Sequence, residues 1–379
     1  MIRSLTLDNY RGFRRLEMKD LGRVNLLVGT NNAGKTSVLE AIQILEVPGE
    51  FGTILSPLSR RGEDFEDSQS RLSRQVDVRR MFHGHEVKLG SRLFFSAETD
   101  HGTDRFSAFI APSKGEEEPK ESLFEAIETE VDAEFVPRLA ALGVEWHHGQ
   151  SGSHFNSLND LTRRGGLATD VLRVSSRGPE IARIPIRFIS ASSLSADAVI
   201  NLFEEVVLTP HEDFVIEALR IIEPSIERIA TSGTERRRST PAGRLGNRGG
   251  LLVRLKGIRD RIPIGSMGDG IWRLLGLSLA LAKSEGGILL VDEIDTGLHY
   301  SVMESMWKLV NQTSKRHKIQ VFATTHSRDC YESLATVCQD HVSEKSEVTI
   351  QRLERGKMKV TSYSEQEIVA AAERSIEVR

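Results

Sequence analysis

Gly29-Thr30-Asn31-Asn32-Ala33-Gly34-Lys35-Thr36 sets two glycines, an ammonium and a hydroxyl at the spacing G-x-x-x-x-G-K-[ST]. Glycine backbone turns tightly enough for successive N–H groups to converge on one anion, and a helix starting there points its positive end the same way. Lys35 adds a point charge for the β- and γ-phosphates of a nucleotide, and Thr36 offers its hydroxyl to Mg²⁺. Asn31, Asn32, Ala33, Gly34, Lys35, Thr36 and Ser37 are the expected phosphate contacts. A glycine turn that merely capped a helix would have no use for the Lys-Thr pair that follows.

A second group of reactive residues lies far along the chain, where Gly287-Ile288-Leu289-Leu290-Val291 runs into Asp292 and Glu293. The carboxyl end of a buried parallel strand is where α/β proteins bind ligands. Asp292 is then the second metal ligand beside Thr36, direct or through water, and Glu293 orients and polarises the water that attacks the γ-phosphate. Two acids ending a strand could also be a solvated turn, but the phosphate loop makes that reading weaker. Together the two segments imply ATP and Mg²⁺ and the reaction of ATP with water to give ADP and phosphate.

These groups need a strand before the loop and a helix after it, and the hydrophobic pattern supplies both. Short strands are expected at 2–8 and 16–18, joined through Tyr10-Arg11-Gly12, and a buried strand at 24–28; Val38, Ala41, Ile42 and Leu45 then recur at helical spacing until Pro48-Gly49. Over about 50–185 the pattern fades. Strand-like pieces remain at 86–95 and 106–110, with an acidic run at Glu116-Glu117-Glu118. Regular structure resumes with an apolar run at 184–189 and a helical region over 196–229, broken near Pro210 and Pro224. Residues 231–250 form a Gly/Ser/Arg-rich loop. From 265 onward, helix 271–283, strand 288–292, helix 301–312, strand 319–324 and helix 328–335 predict a largely parallel sheet. A hairpin of 348–353 with 358–363 and a final helix complete the chain.

At 379 residues, 39% hydrophobic and 27% charged, the composition is that of a globular protein. No apolar run approaches the roughly 20 residues of a membrane helix, and the alternating start is unlike a secretory signal, so a cytoplasmic protein is expected. Cys330 and Cys338 are too few for a disulfide framework or a four-ligand zinc site. A net charge of −4 argues against a wholly basic nucleic-acid binder.

The order and spacing over 5–35 and 263–334 resemble the ABC-type ATPases of the RecF, OLD and SMC group. Ser266-Met267-Gly268-Asp269-Gly270 is similar to that group's S-x-G-x-G signature. Its small residues expose N–H groups at a helix start, which suits a γ-phosphate. By resemblance, Ser266 and Gly268 serve the nucleotide of the opposite subunit, which implies a homodimer, or a larger homo-oligomer, closed around ATP. Asp295-Thr296-Gly297-Leu298-His299 resembles the D-loop beside the hydrolysis site, so Asp295 joins the nucleotide-binding set. Thr324-Thr325-His326-Ser327 resembles the switch-histidine segment, in which His326 contacts the γ-phosphate. Asn9-Tyr10-Arg11-Gly12-Phe13 resembles the group's N-terminal N-[FY]-R-x-[FL] segment and implies that Arg11 lies near the nucleotide. The segment 188–193, where the group's glutamine loop falls, contains no glutamine. Neither a long heptad arm nor, in the tail from Glu344, a TOPRIM-like acidic cluster is present.

The implied fold class is α/β: a P-loop NTPase, ABC ATPase-like, with an N-terminal β-rich lobe and an inserted α+β lobe between the two halves of the nucleotide-binding core. The expected domains are 1–48 (first half of the core with the P-loop), 49–183 (inserted lobe), 184–262 (helical connecting lobe) and 263–379 (second half of the core). By resemblance, the protein is an ATPase that dimerises around ATP and regulates a separately encoded effector, a TOPRIM-type nuclease, in DNA repair or anti-phage defence. Arg236, Arg237, Arg238, Arg244 and Arg248 make DNA a further candidate partner, against the reading of a solvated loop. No membrane partner is expected. Competing readings are the nucleotide-binding subunit of a membrane transporter, a DNA-end clamp without an effector, and a scaffold in which nucleotide is structural. The long segment after the phosphate helix and the loose signature weigh against the transporter.

Overall fold

The computed structural model describes residues 1–47, 51–65, 75–113, 140–149, 153–162, 165–168, 184–191, 194–232, 250–339, 347–374, 376 and 378. The strands of the first half are β1 (Ile2–Tyr10), β2 (Phe13–Met18), β3 (Val24–Val28), β4 (Asp64–Phe65), β5 (Gln75–Asp77), β6 (Arg92–Thr99), β7 (Gly102–Pro112), β8 (Ala140–His148), β9 (Ser153–Asp160) and β10 (Gly166–Ala168). Those of the second are β11 (Ile186–Ile189), β12 (Ile226–Thr231), β13 (Leu251–Leu255), β14 (Ile262–Pro263), β15 (Ile288–Val291), β16 (Gln320–Thr324), β17 (Val348–Arg352) and β18 (Thr361–Tyr363). Backbone packing divides the chain into two compact units. One holds Met1–Asp20, Asn32–Arg183 and Glu354–Val360, and the other Leu21–Asn31, Ile184–Leu353 and Thr361–Arg379.

The first unit is built on an antiparallel sheet with the order β2-β1-β6-β7-β8-β9. Aromatic side chains run across it in register: Phe95 faces Phe106, Phe106 faces Trp146, and Trp146 faces Phe155. Tyr10 meets Phe95 edge-on with ring centroids 4.8 Å apart. Such cross-strand pairs each contribute about 0.2–1 kcal/mol. The helix Lys35–Glu46 packs against β6 and β7. Near its end the Trp146 indole Nε1 donates to the Ile44 carbonyl at 2.9 Å, satisfying an acceptor that the last helical turn leaves without a partner.

Three expectations change here. The strand expected at 86–95 starts only at Arg92, because Gly84 and Gly90 have φ of 75° and 86° and turn the chain before it. Strands β8 and β9 were not expected; in β8, Ala140 to Val144 are buried without the alternation that marks a half-exposed strand. Strands from 1–48 and from 49–183 also share this one sheet, so a boundary at 48 cuts through its hydrogen-bonded ladder.

The second unit carries the sheet β11-β15-β16-β3-β17-β18, parallel except for its last pair. Strands β3, β15 and β16 are buried on both faces, which is why they read as continuous apolar runs. Trp272, Leu275, Trp307, Leu334 and Ile368 from the surrounding helices fill the core. The expected α/β, P-loop, ABC ATPase-like architecture is present.

The helical region expected over 196–229 stops earlier. Helices Ala196–Val206 and Pro210–Arg220 are N-capped by Ser195 and Thr209, and β12 then pairs with β13 in a small sheet. The expected hairpin forms, but β18 is only Thr361–Tyr363. Residues just before it belong to the first unit, where Lys359 bridges Glu17. Ser192, Ser193, the acidic run at Glu116, Glu117 and Glu118, and the arginines at 236, 237, 238, 244 and 248 lie outside the described residues. Among the described residues, no helix is long and apolar enough to cross a membrane.

Candidate nucleotide site

Strands β3, β15 and β16 run parallel, so Gly29, Asp292 and Thr325 leave the same edge of one sheet. The start of the phosphate loop and the acidic pair are thus set on that edge by strand pairing alone. The Asp292 amide donates to the Ile189 carbonyl at 2.8 Å. Thr324 Oγ1, at the end of β16, donates to Asp292 Oδ1 at 2.7 Å and accepts from the Glu293 amide at 2.8 Å. One hydroxyl therefore fixes both acids.

Glu293 has φ of 49°, in the left-handed region that costs a non-glycine residue about 1–2 kcal/mol. That turn throws its carboxylate outward, where it is 41% exposed. Its Oε2 accepts from Thr296 Oγ1 at 3.1 Å, and its Oε1 stands 3.8 Å from His326 Nε2, longer than a hydrogen bond. A solvent-facing carboxylate held beside an imidazole can accept a proton from water. Asp295 Oδ1 accepts from Thr325 Oγ1 at 2.6 Å, which ties the expected D-loop to the end of β16.

Arg273 is the important residue that the sequence reading missed. Only 3% exposed, it donates through Nη1 to the Ser190 carbonyl at 2.8 Å and through Nη2 to the carbonyls of Asp292 and Glu293 at 2.7 and 2.6 Å. Burial lowers its pKa, and the charges of Asp295, Asp292 and Glu293 oppose that shift. Its signal was a lone guanidinium inside the otherwise apolar helix Asp269–Ala282. Ser190 stands in the segment where a glutamine was sought.

The signature segment forms a short 3₁₀ turn, Ile264–Met267, then Gly268 at φ 93°, and the helix begins at Asp269 rather than at Ile271. Ser266 and Gly268 are exposed. A Cβ on Gly270 would stand 3.1 Å from the Gly297 carbonyl oxygen, so the signature and the D-loop turn meet backbone to backbone.

In the first unit, Asn32 and Gly34 have φ of 61° and 94°, and a Cβ at Gly34 would run into the Phe13 ring. Ala33, Lys35 and Ser37 are buried, while Asn31 and Asn32 are exposed. No side chain caps the start of the helix that carries Lys35 and Thr36. Ser37 Oγ accepts from Arg61 Nη2 at 3.4 Å, so this hydroxyl faces the helix flank. Arg11, expected near the nucleotide, is enclosed by acids: Nη1 donates to both Glu63 oxygens at 3.0 and 3.1 Å, and Nε lies 3.2 Å from Glu40 Oε2. Burial raises the Glu40 pKa, against the pull of Arg11 and Arg61.

A family model described as "AAA domain, putative AbiEii toxin, Type IV TA system" matches residues 24–329. The chain is 21% identical over 361 residues to an ATP/GTP phosphatase of Helicobacter pylori, covering 90% of this chain and 89% of that protein. A stretch of 52 residues is 42% identical to the DNA replication and repair protein RecF of Clostridioides difficile, 14% of each chain. Among solved structures, an SMC head bound to the C-winged helix domain of ScpA matches with a TM-score of 0.45 at 14% identity, covering 96% of this chain and 97% of that one. Because the family model spans most of the chain, from β3 to beyond His326, the chain belongs to this AAA-domain family and is an ATPase.

Proposed function

We propose that the chain hydrolyses ATP with Mg²⁺, using Glu293 to position and deprotonate the attacking water. Support comes above all from the arrangement of Glu293 itself: a left-handed backbone turn, fixed at its amide by Thr324, presents an exposed carboxylate between Thr296 and His326. Lys35 and the amides of 31–37 hold the phosphates. Thr36 and Asp292 offer hydroxyl and carboxylate oxygens, the hard donors that Mg²⁺ takes, so the donor set fits that ion. When bound, Mg²⁺ neutralises charge on the phosphate oxygens. Thr324 and Arg273 keep Asp292 and Glu293 in place, and His326 reads the presence of the γ-phosphate.

Ser266, Gly268 and Asp295 are proposed contacts across an ATP-closed dimer. Exposure of Ser266 and Gly268 beside the Gly297 turn supports this role. The proposed use of that cycle is control of a separately encoded effector, a nuclease, in DNA repair or defence. The relation to a protein named for DNA replication and repair supports the nucleic-acid setting.

Steady-state phosphate release by wild type and Glu293→Gln, with ATP binding and mass measured in parallel, tests the proposal. The expected variant binds ATP, accumulates as a dimer and turns over roughly 10²–10⁴-fold more slowly. Equal turnover would remove Glu293 from the chemistry. A variant that stays monomeric with ATP bound would remove the dimer. Association with the effector is tested by co-purification with the product of a neighbouring nuclease-like gene, and separate elution would reject it.

A further inference from the structure

In the first unit, away from the phosphate loop, Glu46, Asp104 and His148 bring two carboxylates and an imidazole together with ligand atoms all within 4.8 Å of one another. Glu46 closes the helix that Lys35 begins. Asp104 lies on β7 on the same covered face as Phe106 and Ala108, and His148 ends β8 on the face of Val144 and Trp146. The strand register beside Arg105 and His147 brings Asp104 and His148 side by side.

The cluster is short of partners. Glu46 is 5% exposed, and its Oε1 has no hydrogen-bond partner. His148 Nδ1 is likewise buried without a hydrogen bond, 3.7 Å from Asp104 Oδ1. Asp104 Oδ1 accepts from the Gly149 amide at 2.8 Å. Burying two carboxylates without a cation is costly, so such a site holds either a proton or a metal. A separation of 3.7 Å is too long for a hydrogen bond. It is close to the roughly 3.4 Å between two ligands on a tetrahedral ion with bonds of about 2.1 Å. His148 is 16% exposed, which gives an ion a way in.

We infer that Glu46, Asp104 and His148 form a divalent transition-metal site that ties the end of the P-loop helix to strands β7 and β8. One imidazole with two carboxylates favours Zn²⁺, Mn²⁺ or Co²⁺ over Ca²⁺ or Mg²⁺. The fourth position would go to water on the His148 side. Such an ion would join the Trp146–Ile44 hydrogen bond in fixing where the helix ends.

The full chain, freed of metal with EDTA and free of nucleotide, is titrated with Zn²⁺ or Co²⁺, and bound metal and melting temperature are followed. Wild type is expected to bind one equivalent. At a metal concentration about 100 times the dissociation constant it should gain roughly 3–4 °C. Glu46→Gln and His148→Ala should lose that affinity by more than the roughly 10–100-fold that follows loss of an outer-shell partner. Glu46→Gln keeps the shape and removes the ionisable carboxyl whose burial costs stability, so its metal-free melting point should match or exceed wild type. Asp292→Asn should bind the equivalent normally, which separates this site from the nucleotide site. No saturable binding by wild type, or an unchanged equivalent in Glu46→Gln and His148→Ala, would overturn the inference and leave Glu46 as a protonated buried acid.

Discussion

Two carboxylate pairs in this protein have opposite surroundings. Asp292 and Glu293 end a strand where a threonine hydroxyl, the Ile189 carbonyl and a buried arginine fix the pair, while the Glu293 carboxylate reaches solvent. Glu46 and Asp104 lie under a sheet, and one carboxylate oxygen of Glu46 has no partner. The first pair is built around the backbone so that its side chains can work in water; the second leaves its side chains to be satisfied by something small enough to reach them. Exposure and partner supply, rather than residue type, separate an acid suited to catalysis from one suited to holding a proton or an ion.

The comparison predicts effects of different kinds. Glu293→Gln should give the largest change, roughly 10²–10⁴-fold in turnover, with little change in melting temperature because the side chain is exposed. A large loss of stability would instead mean that the pair holds the fold.

Glu46 should show itself through pH. Burial, and then the neighbouring Asp104 charge, push its pKa from the ordinary 4.5 up to about 8. Below about pH 4.5 it is protonated in both folded and unfolded chains, so it does not discriminate between them. Between about 4.5 and about 8 the unfolded chain ionises while the folded chain keeps the proton. Stability of the metal-free protein should fall across that window, by an amount on the order of a few kcal/mol. Denaturant unfolding of the EDTA-treated protein at several pH values reads this slope, and Glu46→Gln should flatten it. An identical slope in the variant would place the titrating group elsewhere.

Thr324→Val keeps the shape and removes both hydrogen bonds of the hydroxyl. Turnover should fall roughly 10–100-fold, the usual effect of losing an outer-shell support. If kcat and KM both stay at wild-type values, Thr324 is not what holds Asp292 and Glu293. Thr296→Val, which removes one exposed bond to Glu293, should cost no more than about tenfold. A loss matching that of Glu293→Gln would make Thr296 a participant rather than a support.

The strands and turns that carry the proposed nucleotide site were legible in the sequence because their signals are local. A glycine loop between an apolar strand and a helix has one sensible backbone path, and two acids after four buried aliphatic residues can only end the strand. Strand β8 was illegible because Ala140 to Val144 are buried on both faces and carry no alternation. β12 was hidden by two isoleucines, Ile226 and Ile229, whose three-residue spacing suits a helix as well as an irregular strand.

The sequence by itself determined which chemical groups the protein has and the order in which the strands deliver them: the loop at 29–36, the acids at 292 and 293, the histidine at 326. Those follow from hydrophobic period and from residue types that have few other uses. Only the tertiary structure decided that Arg273 binds the carbonyls beside the acids, that Glu40 and Glu63 enclose Arg11, and that Glu46 meets Asp104 and His148. Each of these depends on contacts between segments 19 or more residues apart. Strand register and helix packing fix those contacts, and no local pattern along the chain records them.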